Sequence, residues 1–385
     1  MKIYLFILFL VFLVPIKSQK INIQLFSSVN ISKISIQSVN GNCQILSPRG
    51  FITEMDEGSI VSLRLNSNEK IHLIKDGVFL CLVDTLFFYQ SQTQDYLSFF
   101  SESTKYKSRK YQGDFECFIR DGFLDIRNTI AVDDYLEGVL ASEAGVRLES
   151  EYYKVQAIIS RTYALNNWNK HQVEGFNLCD DVHCQAYFGR YNHESTGIIE
   201  GVKNTKGVVL LDQNKKRFPV FFSANCGGQS AETDQIWNTS ISSYISRPDT
   251  FCIHTRQANW EQYIPKTEFL NFLKDKYFLD VHDPEVYRLI VNFKQENRKT
   301  FFIDPIYGIP LRDLRKKFGL KSTYFSTAQI GNKVLFKGKG FGHGIGLCQE
   351  GAMRMIRMGY SHEEVLKYYF NGANTYDSRE ALIYN

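Results

Sequence analysis

Residues 133–187 read DDYLEGVLASEAGVRLESEYYKVQAIISRTYALNNWNKHQVEGFNLCDDVHCQAY, and the reading of this stretch decides the fold. Val155, Ile158, Ile159, Thr162 and Tyr163 recur at helical spacing with Lys154, Ser160, Asn166 and Asn167 between them, which predicts one long helix over about residues 151–168. Ahead of it, Asp133 and Asp134 are N-cap candidates before the apolar stripe Tyr135, Leu136, Val139 and Leu140, so a short helix should end around residues 141–145. Glu143 then falls near a helix end among Ala141, Ser142, Ala144 and Gly145, small residues that leave room for a bulky ligand. Arg161 sits in an apolar and small-residue run, where an unpaired guanidinium is costly, so it needs a structural carboxylate, Glu143 or an anionic substrate group as partner. Straight after the helix, His171, Cys179, His183 and Cys184 offer the four ligands of a closed structural zinc site. A Cys179–Cys184 disulfide is the competing reading.

Working outward, residues 20–118 alternate at short range, with Asn-Gly, Pro-Arg-Gly and Asp-Gly turn signals, and predict a small β-rich module in which VNGNCQI marks a hairpin. Nothing there has catalytic spacing. Cys43 and Cys81 are candidates to pair, and Cys117 for a buried thiol. Downstream, GVVLLD and RFPVFFSA read as strands, and the loop after them is flanked by Cys226 and Cys252, expected to form a disulfide that fixes it. About residues 260–333 look like an insertion mixing helix (KTEFLNFLKDKYF, LRDLRKKFG) with strand (VYRLIVNF). Finally, six glycines between Gly338 and Gly351 surround His343 and lead into a helix that Gly359 should stop, and Ser361 with Glu364 forms a capping box for a last helix. The glycine loop fits neither phosphate-binding fingerprint. No zinc-protease pattern and no nucleophile elbow occur in the sequence. The class implied is α+β: a mixed β-rich core with a long helix carrying the site, plus the N-terminal module.

Length bounds the chain at about two to three domains. Residues 1–18 place Lys2 before an apolar run ended by Pro15, a pattern expected of a secretory signal peptide, with an uncleaved anchor as alternative. No later run is long and apolar enough to suggest a span. Setting aside Lys2 and Lys17 lowers the formal charge from +4 to +2, too mild for a nucleic-acid partner. The basic clusters KYKSRK, NKKR and LRKKF read as solvated faces, although an exported protein could turn them to anionic wall polymers.

Several pieces then fall in one order: DYLEGVLASEAG, YYKVQAIISRTYAL, NLCDDVHCQAYFG, SANCGGQS, DQIWNTSISSYI and GKGFGHGIGLCQEGA. Together they resemble the family of stage II sporulation protein D and the amidase enhancers, over about residues 119–385, with residues 19–118 outside the likeness. The resemblance implies a lytic transglycosylase of peptidoglycan acting on strands stripped of stem peptides. It puts the catalytic acid on Glu143, an important arginine on Arg161, and supporting positions on Gln185, Tyr187, His343 and Gln349. It also implies a structural zinc on His171, Cys179, His183 and Cys184 in those members that bind one. Implied partners are glycan strands and, for the enhancer branch, a cell-wall amidase; the place is the periplasm or cell envelope. Cys226 and Cys348 depart from the family pattern, where many members carry serine, and suggest an extra disulfide. A single acid suffices for such chemistry, because the substrate's own 6-hydroxyl takes the part of the second carboxylate that a hydrolase needs.

Overall fold

The computed structural model describes residues 19–100, 108–190, 195–237 and 239–378. The expected signal peptide lies outside them. Helices and strands share the chain, in several separate sheets, which is the α+β class expected. Among the described residues no helix is long and apolar enough to cross a membrane.

The chain divides into two compact units, the first made of residues up to Tyr135 together with His171–Cys184, the second of Leu136–Lys170 and Gln185 onward. In the first unit the strands are β1 (Lys20–Leu25), β2 (Lys33–Asn40), β3 (Cys43–Ser47), β4 (Gly50–Met55), β5 (Ile60–Leu65), β6 (Ile71–Lys75), β7 (Val78–Val83), β8 (Thr85–Gln90), β9 (Tyr96–Phe100), β10 (Arg109–Gln112), β11 (Asp114–Arg120), β12 (Phe123–Ala131) and β13 (Leu178–Cys179). They form a seven-stranded sheet in the order β13-β1-β12-β11-β8-β3-β4 and a six-stranded sheet in the order β10-β9-β2-β5-β6-β7. Alternation at period two puts Ile21, Ile23, Ile34, Ile36, Leu63, Leu73, Phe88 and Phe99 in the core. Asp76-Gly77 and Asp121-Gly122 have positive φ at both positions, the backbone that two-residue hairpins require, and they close β6 onto β7 and β11 onto β12.

The Asn40-Gly41 signal is a corner instead of the expected hairpin: β2 pairs with β5 and β9, whereas β3 pairs with β4 and β8, so the turn passes the chain from one sheet to the other. Gly41 has positive φ, and a Cβ there would lie 2.3 Å from the Asp95 carboxylate oxygens, which is why a glycine stands at that corner. Cys43 and Cys81 sit on strands of different sheets, and neither is bonded.

The second unit carries helices α1 (Val132–Ala144, whose first turn belongs to the first unit), α2 (Ser150–Asn166), α3 (Thr196–Asn204), α4 (Thr233–Ile236), α5 (Lys266–Tyr277), α6 (Pro284–Val291), α7 (Leu311–Phe318), α8 (Gln349–Arg357) and α9 (His362–Tyr369). Its strands are β14 (Val208–Asp212), β15 (Phe222–Ser223), β16 (Asn259–Pro265), β17 (Phe325–Ile330), β18 (Lys333–Lys339), β19 (Leu347–Cys348) and β20 (Ala373–Asp377). Helix α2 is the axis of this unit and is buried along most of its length, packing against α3, α8, α9 and β14. Asp133 and Asp134 lie inside the first turn of α1, where they complement the helix dipole, instead of at the cap position expected for them. The Ser361–Glu364 capping box forms, and α8 ends at Arg357, ahead of Gly359 at positive φ. RFPVFFSA contributes to pairing the two residues of β15 and an isolated bridge from Arg217 to Leu211.

Residues 259–339 fold around their own apolar cluster, with Phe269, Leu273, Phe302, Leu314 and Phe336 at its centre and β16-β18-β17 as its sheet. Here VYRLIVNF is mostly helix instead of the expected strand. Pro284 occupies the first helical turn and the Asp283 side chain accepts from the backbone N–H of Glu285 and Val286, so a strong start signal overrides the β-branched residues behind it.

Candidate active site

Glu143 is in the last turn of α1, partly buried, and its Oε1 accepts the backbone N–H of Ala186 at 2.7 Å. One residue earlier, Ser142 Oγ donates to the Gly138 carbonyl at 2.7 Å and accepts from Phe188 N–H at 2.9 Å. The segment Gln185–Phe188 is thereby strapped along the end of α1. The close approach depends on Gly138, where a Cβ would meet the Tyr187 ring at 2.5 Å. Burial raises the Glu143 pKa above the usual carboxylate range, and the Ala186 N–H opposes this in part. Among the described residues, no neighbouring carboxylate or cation contributes to that shift.

Behind the carboxylate lies a buried polar ladder. Tyr152 Oη donates to Gln156 Oε1 at 3.1 Å, Gln156 Nε2 donates to Ser160 Oγ at 3.2 Å, and Gln349 Nε2 reaches Gln156 Oε1 at 3.4 Å. Gln185 Nε2 donates to the Ser160 carbonyl at 3.2 Å, and its Oε1 is buried without a hydrogen-bond partner. Tyr187 is buried, while Phe188 is exposed. Tyr152, Gln156 and Gly138 escape a reading of the sequence, and Ser142 and Ser160 enter it only as a small and a polar neighbour; the signal available was the polar side chains at positions 152, 156 and 160, one helical turn apart.

Arg161 is buried, and its guanidinium donates to the carbonyls of Thr205, at 2.8 Å, and Val208, at 3.2 Å, at the end of α3 and the start of β14. Backbone acceptors thus answer its need for partners. His343 lies in the glycine loop, its Nδ1 accepting from Ile345 N–H at 3.0 Å, beside the Trp237 ring. Burial, with the nearby charge of Arg315, lowers its pKa to about 4, so it is a neutral imidazole near pH 7. Gln349 therefore joins the α2 ladder, whereas Arg161 and His343 serve other contacts.

In the first unit, His171, Cys179, His183 and Cys184 converge, with their ligand atoms within 4.8 Å of one another. His171 Nε2 is 3.4 Å from Cys184 Sγ, and His183 Nδ1 is 3.8 Å from Cys179 Sγ and 3.9 Å from Cys184 Sγ. A tetrahedron built on zinc–sulfur and zinc–nitrogen bonds of about 2.3 and 2.0 Å has edges of about 3.5–3.8 Å, so the donors fit. His171 Nδ1 is paired with Glu174, the carboxylate contact that orients metal-binding imidazoles, and the ring stacks on Phe176. Hydrogen bonding from Cys184 leads the causes that lower the Cys179 pKa to about 4. The backbone is held by Asp180, whose buried carboxylate accepts from Phe26 N–H, Ser27 N–H, Ser27 Oγ and Arg109 at 2.7–3.1 Å. None of the eight cysteines is bonded to another, and Cys226 and Cys252 approach to 3.5 Å between sulfurs.

Residues 120–211 match the model of the family described as Stage II sporulation protein. An uncharacterized protein of Brachyspira hyodysenteriae is 26% identical over 258 residues, 65% of this chain and 68% of that protein. Stage II sporulation protein D of Bacillus amyloliquefaciens is 25% identical over 264 residues, 64% of this chain and 74% of its own length. The Amidase enhancer of Bacillus subtilis is 24% identical over 290 residues, 62% of this chain but 39% of that longer protein. The matched residues hold Glu143, helix α2 and the cysteine–histidine segment in one run, and over them the chain is similar to the stage II sporulation protein family.

Proposed function

We propose that this protein acts in the cell wall as an exported lytic transglycosylase, cutting the bond between N-acetylmuramic acid and N-acetylglucosamine in glycan strands freed of stem peptides. The observation that carries this reading is Glu143: a partly buried carboxyl whose pKa burial raises, oriented by one backbone N–H, with no second carboxylate contributing to its ionisation among the described residues. An acid with those properties can protonate the glycosidic oxygen as the bond to the anomeric carbon breaks. The 6-hydroxyl of the same muramic acid then attacks that carbon, Glu143 takes the hydroxyl proton, and a 1,6-anhydro end results. Gln185, Tyr187 and Gln349 hold the platform on which the carboxyl sits, and Arg161 fixes α2 to α3 and β14.

His171, Cys179, His183 and Cys184 would hold a zinc ion with no open position, which supplies structural cross-linking instead of a reactive water. One relative is named Amidase enhancer, and enhancement of an amidase by this chain is the second reading. Digestion of peptide-stripped glycan strands by the parent and by Glu143→Gln, with products read by mass spectrometry, separates the two. Anhydro ends from the parent alone support the lytic reading. If neither cuts, and an added amidase is stimulated equally by both, the protein is an activator and Glu143 belongs to the scaffold.

A further inference from the structure

A second cluster of potential ligands lies entirely within the second unit. Cys226, Asp249, Cys252 and Cys348 are all buried, and their ligand atoms lie within 4.8 Å of one another. They come from three places in the chain. Cys226 follows β15, Asp249 and Cys252 lie three residues apart in the loop after α4, and Cys348 ends β19, the parallel partner of β15. Cys226 Sγ is 3.5 Å from Cys252 Sγ and 3.2 Å from Asp249 Oδ2, and Cys348 Sγ accepts from Cys226 N–H at 3.3 Å.

We propose that these four residues form a tetrahedral zinc site, with three thiolates and one carboxylate, distinct from the histidine–cysteine cluster. The separations match the tetrahedron edges: zinc–sulfur bonds of about 2.3 Å imply about 3.8 Å between sulfurs and about 3.5 Å from sulfur to oxygen. A disulfide at about 2.0 Å would use two of the three thiols and leave the third sealed in the interior. Three soft thiolates with one oxygen at a closed, four-coordinate position select zinc among the common divalent ions.

The surroundings have the character of a metal's outer shell. Tyr369 Oη donates to Asp249 Oδ2 at 2.9 Å, and Phe251 N–H donates to Oδ1 at 3.0 Å, which fixes the carboxylate's orientation. Gly351 is required beside them, since a Cβ there would lie 2.3 Å from Tyr369 Oη and 2.9 Å from Asp249 Oδ2. Four anionic ligands around a dication leave two excess negative charges, and burial of that excess needs a cation. Arg298 supplies one: it is buried, donates through Nη2 to the Cys226 carbonyl at 2.5 Å, and leaves Nη1 without a hydrogen-bond partner. The site would pin together the β15–β19 pair and the 249–252 loop, none of which has much regular structure of its own.

The test uses the full chain purified without added chelator, with zinc measured by elemental analysis and thiols by intact mass under denaturing, non-reducing conditions. Zinc that falls by one equivalent in Cys348→Ser, while a variant with both His171→Ala and Cys184→Ser keeps that equivalent, supports the proposal. Should Cys348→Ser fail to fold, the His171→Ala/Cys184→Ser variant decides alone. It should retain one zinc and, after cobalt(II) exchange, show tetrahedral bands with thiolate charge transfer. The proposal is overturned by a parent mass two hydrogens lighter with Cys226 and Cys252 in one linked peptide, or by zinc content that does not change on loss of Cys348.

Discussion

Substituting Gly138 by alanine should cost far more activity than stability. In the interior of α1 the added methyl gains about 1 kcal/mol of helix propensity. Against this, the new Cβ would lie 2.5 and 2.8 Å from two carbons of the Tyr187 ring and 3.0 Å from the Gly189 carbonyl. Carbon atoms settle at about 3.5–4.0 Å, so ring and helix must separate by about 1 Å. Tyr187 is buried, with 1% of its surface exposed, and cannot swing aside without moving its backbone. Overpacking of this kind costs about 1–3 kcal/mol, which leaves a net loss of about 0–2 kcal/mol. Small domains hold about 5–15 kcal/mol, so the variant stays folded at 25 °C. The displaced segment, however, carries the Ala186 N–H that orients Glu143 and the Phe188 N–H that binds Ser142. A misplacement of about 1 Å at a reacting group can cost on the order of 100-fold in rate. Release of anhydro-sugar products, timed beside urea unfolding of the same preparation, measures both. Unchanged rate and unchanged stability would refute the reasoning, and so would a rate loss that unfolding alone accounts for.

The carboxyl of Glu143 carries its own signature in stability. Its folded pKa is raised by burial, so its contribution is fully present below the unfolded value of about 4.3 and is lost as pH rises through the folded value. Glu143→Gln keeps an acceptor for Ala186 N–H and carries no charge, so urea curves should show it at least as stable as the parent at pH 8, with the gap closing toward pH 4; a parent more stable at pH 8 contradicts this. Asp180→Asn should destabilise the first unit by about 1–3 kcal/mol, because Phe26 N–H and Ser27 N–H bind different carboxylate oxygens and an amide NH2 would replace one acceptor with a donor facing them. A loss below about 0.5 kcal/mol in the same unfolding assay would mean that those bonds contribute little. If His171, Cys179, His183 and Cys184 hold zinc, a chelator should make Cys179 and Cys184 alkylatable under native conditions, mapped by peptide mass spectrometry, whereas a Cys179–Cys184 disulfide would leave both unreactive with and without chelator.

Local periodicity made α1 and α2 legible because each buries a stripe at 3.6-residue spacing, and it placed Glu143 at a helix end where α1 does stop. The capping box at Ser361 was equally plain, since the two residues that make it are three apart. What was illegible depends on partners distant in sequence. Asn40-Gly41 carries a hairpin's residues, yet its flanking strands pair elsewhere, with β5, β8 and β9. VYRLIVNF has strand composition, but one capping aspartate and one proline outweigh it. The same holds for the site. Ala186 acts through its backbone N–H, which any residue but proline supplies, so no side chain announced it. Arg161 needed a partner, as burial of a charge requires, and its acceptors include two carbonyls more than 40 residues away.

The family match stops at residue 211, one residue before the end of β14. That strand's partner is β20, paired from Val208 with Asp377 to Asp212 with Ala373, so a fragment ending there would leave an open edge. Helix α2, which carries the ladder behind Glu143, packs against α8 and α9. Glu151 in its first turn accepts from His362 N–H at 2.9 Å, and Gln156 in its middle is reached by Gln349. Val365, Leu366, Tyr369 and Phe370 are buried at that end of the chain, and each large apolar side chain kept from water contributes about 1.5–3 kcal/mol. Without them α2 would expose its packed face and its polar ladder to water, and the geometry that raises the Glu143 pKa would go with it. The relatives agree in extent, since they align over 258 to 290 residues, well beyond the matched family segment. The working platform for Glu143 therefore runs from α1 through β20, and the residues after 211 belong to the site as much as those before it.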